Sequence, residues 1–117
     1  MKKEERTYLH FLEDIRLSIL RIGEYIAGYD FQRFSQDYKT VDAVVRNFEI
    51  IGEAVKHIPE ELKLKYPNLP WEEMYRLRNK VSHEYFGIDY EIIWDIITNY
   101  LPQNRTEIEE IIKKEKH

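Results

Sequence analysis

The chain contains no cysteine, which excludes disulfide staples, thiolate metal sites and cysteine nucleophiles together. Glycine and proline are scarce, four of each in 117 residues. That argues against a turn-rich β architecture and for long uninterrupted elements. No apolar run approaches the length of a membrane span. The opening Met1-Lys2-Lys3-Glu4-Glu5-Arg6 does not lead into the hydrophobic stretch of a signal peptide. The expectation is a cytoplasmic protein without a membrane partner. An excess of positive charge is also missing: 18 Lys and Arg stand against 22 Asp and Glu, a net of −4. A polyanionic ligand would therefore have to be held by a local patch rather than drawn by the whole molecule. Carboxylates or histidines clustered for a metal are absent beyond ordinary acidic helix faces, so no metal and no cofactor is expected.

What is present suits a globular domain, with 43% hydrophobic and 34% charged residues. The length is that of one domain, 1–117, with one core. Tyr8, Leu12, Ile15, Ile19, Ile22 and Ile26 recur in steps of four and three, predicting a helix from about Lys3 to Ala27 that Gly28 ends. Phe31 to Tyr38 reads as a short aromatic-bearing turn of helix. Val41, Val44, Phe48, Ile51, Val55 and Ile58 predict a second long helix, from about Thr40 as N-cap to His57. Ala43, Ile50 and Ala54 widen its apolar surface. Gly52 costs this helix about 1 kcal/mol relative to alanine, a cost that close approach of another helix, within the fold or across a dimer interface, would offset. Arg46, Glu49 and Glu53 share a separate polar strip, open to both a salt-bridged and a functional reading.

Pro59, Pro67 and Pro70 punctuate a connector with one helical turn near Glu60 to Lys65. Pro70 suits the first position of a third helix running to about Tyr85, with Glu72 and Glu73 near the positive end of its dipole. Gly87 is a stop and Asp89 a cap for a fourth helix, Tyr90 to Tyr100. Pro102 then breaks the chain and opens a final helix carrying Ile108, Ile111 and Ile112. The fold class expected is all-α, a bundle of four to five helices.

The third helix concentrates the chemistry. On an ideal wheel Met74, Leu77 and Val81 form its buried stripe, while Arg78, Asn79, Ser82 and His83 share a polar arc. Arg78, Ser82 and Tyr85 would stack at i, i+4 and i+7. Arg78 and His83 would lie about 140° apart, flanking a patch of surface without touching. Histidine titrates near neutrality and moves protons. Arginine presents a planar fork that matches a phosphate and stabilises charge developing on phosphoryl oxygens. Asn79 and Ser82 can orient a phosphate, a base or the imidazole tautomer. RNA carries its own nucleophile in the 2′-hydroxyl, so such a set needs no metal to cleave it. An arginine on a polar face and a histidine near a helix C-terminus are also commonplace, so geometry alone leaves a structural reading open.

Arg78-Asn79-x-x-x-His83-x-Tyr85 has the Arg-x4-His-x-Tyr form of the HepT-like branch of the HEPN superfamily, which the chain resembles over nearly its whole length. Arg46-Asn47-x-Glu49-Ile50-Ile51-Gly52-Glu53-Ala54 is similar to that family's second-helix signature, and Tyr66-Pro67-x-x-Pro70-Trp71 to its connector. Gly87-Ile88-Asp89, Ile93-Trp94 and Leu101-Pro102 follow in the expected order. The resemblance implies a HEPN-like helical bundle that homodimerises, bringing two motifs into one cleft. It implies the toxin of a type VII toxin–antitoxin pair, a metal-independent endoribonuclease that leaves 2′,3′-cyclic phosphate ends. The implied partners are RNA and a nucleotidyltransferase antitoxin of the MNT class, which uses ATP and Mg²⁺ to attach AMP to the motif tyrosine; the implied assembly is a homodimer or a larger hetero-oligomer with the antitoxin. Carried onto this chain, Arg78 and His83 are catalytic, Asn79 and Ser82 supporting, and Tyr85 the modified residue. Arg46 and Glu53 are further supporting candidates. The alternative is a non-enzymatic helical dimer that binds a nucleotide or docks the nucleotidyltransferase.

Overall fold

Apolar residues at helical spacing build the long helices, and the computed structural model buries them as the spacing predicts. It describes the backbone of residues 3–83 and 87–116 and the side chains of residues 7–79 and 89–116. Leu12, Ile15, Ile19 and Ile22 of α1 (Lys3–Tyr25) are buried, as are Val41, Val44, Phe48, Ile51 and Val55 of α3 (Tyr38–Lys56). The helices between and after them are α2 (Phe31–Gln36), α4 (Glu60–Lys65), α5 (Trp71–Tyr75), α6 (Leu77–Val81), α7 (Tyr90–Asp95) and α8 (Leu101–Glu115). A π-helical segment, Ile96–Tyr100, joins α7 to α8. The one strand pairing among the described residues is a two-residue antiparallel ladder, in which Ser82 of β1 (Ser82–His83) faces Ile88 and His83 faces Gly87 of β2 (Gly87–Ile88). The class is all-α, as expected. Taken as rods, α1, α3, α5–α6 and α7–α8 form the bundle, and α2 and α4 are short additions. Among the described residues, no helix is long and apolar enough to cross a membrane.

Three local expectations are corrected. The N-cap of α3 is Asp37 rather than Thr40: its carboxylate accepts from the Thr40 amide at 3.2 Å and the Thr40 hydroxyl at 2.8 Å. Tyr29 donates to the same carboxylate at 2.6 Å. These hydrogen bonds, led by that of Tyr29, hold Asp37 below its ordinary carboxyl value. Pro102 does not break the chain. The Leu101 N–H reaches back five residues to the Ile96 carbonyl, and α8 continues from there. A proline lacks an N–H and crowds the carbonyl four residues before it; the wider π turn accommodates both conditions. Asp89 does cap α7, accepting from the Ile92 amide at 3.1 Å.

The third correction concerns the segment that holds the candidate residues Arg78 to His83. The helix expected from Pro70 to Tyr85 is divided at Arg76 into α5 and α6, and the backbone at Ser82 and His83 is extended. The division lies where the chain packs on Gly52 of α3. A Cβ built on it would stand 2.7 Å from the carbonyl oxygen of Tyr75, so only glycine lets α3 receive that carbonyl. The Arg76 amide bonds to Glu72 at 3.1 Å as α5 ends there. The close approach expected of Gly52 is therefore made within the fold.

A second cluster fastens the end of α8. Glu115 accepts from the Tyr8 hydroxyl at 2.8 Å, from Lys65 at 2.8 Å and from the Tyr66 hydroxyl. The Trp71 indole donates to the Tyr66 carbonyl at 2.9 Å. One carboxylate thus ties α8 to α1 and to the connector that leads into α5.

Candidate functional site

Arg78 lies on the first turn of α6, where Leu77 is buried beside it and anchors the helix in the core. It pairs with a residue of another helix. The Arg78 Nε stands 3.8 Å from Oε1 of Glu49 on α3, and the other oxygen of Glu49 stands 3.8 Å from Nη1 of Arg46. Two guanidinium groups from two helices therefore converge on one carboxylate. At 3.8 Å these are charge pairings rather than hydrogen bonds. The side chains of Arg46, Glu49 and Arg78 are 69%, 47% and 43% exposed, so all three reach solvent.

The polar strip of α3 continues past Glu49 to Glu53, whose carboxylate lies 3.4 Å from His57 Nε2. The His57 ring stacks on Phe11 of α1, with centroids 4.8 Å apart and planes inclined by 17°. Phe11, Asp14, Arg46, Glu49, Ile50, Glu53 and Ala54 line an open hollow of about 280 Å³ between α1 and α3. Glu49 belongs to both features, being a wall of the hollow and the partner of Arg78.

The structure sorts the candidates predicted from sequence. Arg78 and Arg46 are brought together through Glu49. Glu53 lies on the same strip but pairs with His57 rather than with either arginine. Asn79 is directed elsewhere, lining a shallow hollow with Glu72, Glu73 and Arg76. The stacking expected of Arg78 with Ser82 does not apply, because the helix ends at Val81. The side chains of Ser82 and His83 and the whole of Tyr85 lie outside the described residues. Sequence reasoning placed Glu49 on the polar strip with Arg46 and Glu53 but gave it no role in the site. Its signal was the three-residue spacing from Arg46 on the polar strip, but only the packing of α6 against α3 gives it a second arginine.

Among the described residues, no group of three or more His, Asp or Glu side chains is placed to hold a metal ion. Within that set, the means at hand are two partly exposed guanidinium groups separated by one carboxylate. Such a surface can hold a phosphate through planar donor forks and stabilise charge on its oxygens.

Residues 15–111 match the family described as Ribonuclease HepT-like. A Methanocaldococcus jannaschii protein named as a putative RNase is 49% identical over 112 residues, covering 96% of this chain and 90% of its own. A second similar protein, from Caldanaerobacter subterraneus and likewise named as a putative RNase, is 41% identical over 115 residues, 97% of this chain and 99% of its own. A Thermococcus cleftensis protein named as a probable ribonuclease HepT is 39% identical over 109 residues, 93% of this chain and 99% of its own. No solved structure matches the chain.

Proposed function

Because this chain belongs to the ribonuclease HepT-like family of the HEPN superfamily, we propose that it is a ribonuclease whose site is built around Arg78 and His83. In this reading the 2′-hydroxyl of RNA attacks the adjacent phosphorus and the 5′-oxygen departs, leaving a 2′,3′-cyclic phosphate. The Arg78 guanidinium stabilises the charge that gathers on the phosphoryl oxygens. His83 handles a proton, taking it from the attacking hydroxyl or giving it to the leaving oxygen. No metal enters. A homodimer places two copies of the motif on one RNA-binding cleft, with Ser82 and Asn79 orienting groups around it and Arg46 and Glu53 on its margin.

The observation that carries this reading is the setting of Arg78: partly exposed, rooted beside buried Leu77, and facing a second arginine across Glu49. Family membership supplies the reaction class. The same reading extends to regulation. The protein acts as the toxin of a type VII toxin–antitoxin pair, and a nucleotidyltransferase antitoxin of the MNT class attaches AMP to Tyr85. A bulky anion there would occupy or repel the space that an RNA phosphate needs.

The test is cleavage of RNA by the purified protein in EDTA, with the ends of the products identified. Cyclic phosphate ends, lost in both Arg78→Ala and His83→Ala, are expected. If His83→Ala cleaves as fast as the unaltered protein, the assigned mechanism is wrong. Intact RNA together with stoichiometric nucleotide or nucleotidyltransferase binding would favour the non-enzymatic alternative instead.

A further inference from the structure

Glu49 does not resemble the usual helix-surface acid that pairs once along its own helix. Its i,i+3 partner Arg46 approaches one oxygen, while the other faces Arg78 of a different helix. The atom of Arg78 that faces it is Nε, at 3.8 Å. An arginine side chain carries about 2 kcal/mol of rotamer entropy, and a carboxylate on the neighbouring helix narrows the orientations open to it.

We propose that Glu49 is a positioning residue: by holding the Nε side of Arg78 and the Nη1 of Arg46, it aims the two guanidinium groups at one phosphate. This rests on the ribonuclease reading given above. The role of Glu49 has a cost as well as a benefit. Its negative charge orders Arg78, which favours the chemical step, but it also repels the RNA backbone. Removing the charge therefore moves the two kinetic constants in the same direction. Turnover falls because Arg78 is no longer aimed. The Michaelis constant also falls, because an anion has left the binding surface. A residue that merely holds the fold together would lower thermal stability and leave no such split.

The experiment compares Glu49→Gln and Glu49→Asp with the unaltered protein, using saturating and sub-saturating single-stranded RNA. For Glu49→Gln, kcat is expected to fall about fivefold and KM about threefold, in keeping with the modest strength of exposed ion pairs. Glu49→Asp, which keeps the charge, should recover part of kcat. Because the pairing is exposed, raising the salt concentration should narrow the difference in kcat between the unaltered protein and Glu49→Gln. Unchanged kcat in Glu49→Gln would overturn the proposal while leaving the ribonuclease reading intact. A second readout needs no cleavage. The Nε–H resonance of Arg78, identified by its loss in Arg78→Lys, should shift in Glu49→Gln. An unmoved resonance overturns the proposal on its own. If the unaltered protein cleaves no RNA but the resonance moves, the ribonuclease reading fails and the positioning of Arg78 by Glu49 stands.

Discussion

The α carbon of Gly52 and the carbonyl oxygen of Tyr75 are packed so closely that a Cβ on the glycine would come within 2.7 Å of the oxygen. The contact lies where α5 gives way to α6, just before Arg78. It sets the end of α5 against α3, the helix on which Glu49 stands 3.8 Å from Arg78. A glycine that weakens its own helix thereby lets α5 end against it.

Gly52→Ala should therefore be destabilising, although alanine is the better helix former. The neighbour is backbone and cannot swing away, so overpacking of about 1–3 kcal/mol opposes a propensity gain of about 1 kcal/mol. Thermal denaturation should show a lower midpoint. Ribonuclease activity, measured well below that midpoint, should fall further than the unfolded fraction accounts for, because α6 is displaced.

Arg46→Ala removes a cation on the margin of the site without touching the core, since its side chain is 69% exposed. On the proposed reading it should weaken RNA binding across sequences alike and reduce the slope of log affinity against log salt by about 1. Binding of a non-cleavable 2′-O-methyl RNA, measured over a salt series, checks both. An unchanged slope would remove Arg46 from the site.

On the proposed reading, Tyr85→Phe should separate cleavage from its control. The phenyl ring keeps the bulk but lacks the hydroxyl to which AMP would be attached. Cleavage should continue at close to the unaltered rate, while coexpression with the nucleotidyltransferase should give no mass increment of AMP and no neutralisation. An AMP increment that persists in Tyr85→Phe would place the modification elsewhere.

Glu115→Gln tests the fastening of α8. Burial would raise this carboxyl, but hydrogen bonds from Lys65, Tyr66 and Tyr8 outweigh it and hold it below its ordinary value. A folded-state value below the unfolded one means that the stabilisation is fully present above the unfolded value, about 4.3, and is lost as pH falls through the folded one. At neutral pH the substitution should cost about 2 kcal/mol, the scale of hydrogen bonds to a charged group. Denaturation midpoints of the two proteins should converge as the solution is acidified below the ordinary glutamate range. A pH-independent gap would contradict the cluster's role.

Much of the fold could be read directly from the chain. The stripes of α1 and α3 were legible because a helix that buries one face must repeat its apolar residues every three or four positions, and Leu12 to Ile22 and Val41 to Val55 do so. Asp89 was legible as a cap for the same local reason. Thr40 was not distinguishable from Asp37 as the cap of α3, since both are good N-cap residues and only the structure shows the Asp37 carboxylate accepting from the Thr40 amide. The period of Met74, Leu77 and Val81 fits a single helix equally well, so the division at Arg76 left no mark in the pattern.

The sequence by itself determined the all-α class, the two principal buried stripes, and the motif that points to phosphate chemistry at Arg78 and His83. These are local or periodic properties, fixed by backbone geometry and by residue type. Only the tertiary structure decided that Tyr75 rests on Gly52, that the helix ends at Val81, and that Glu49 faces both Arg46 and Arg78. Those facts depend on how far one rod slides along another, and that is set by steric fit between residues more than twenty positions apart.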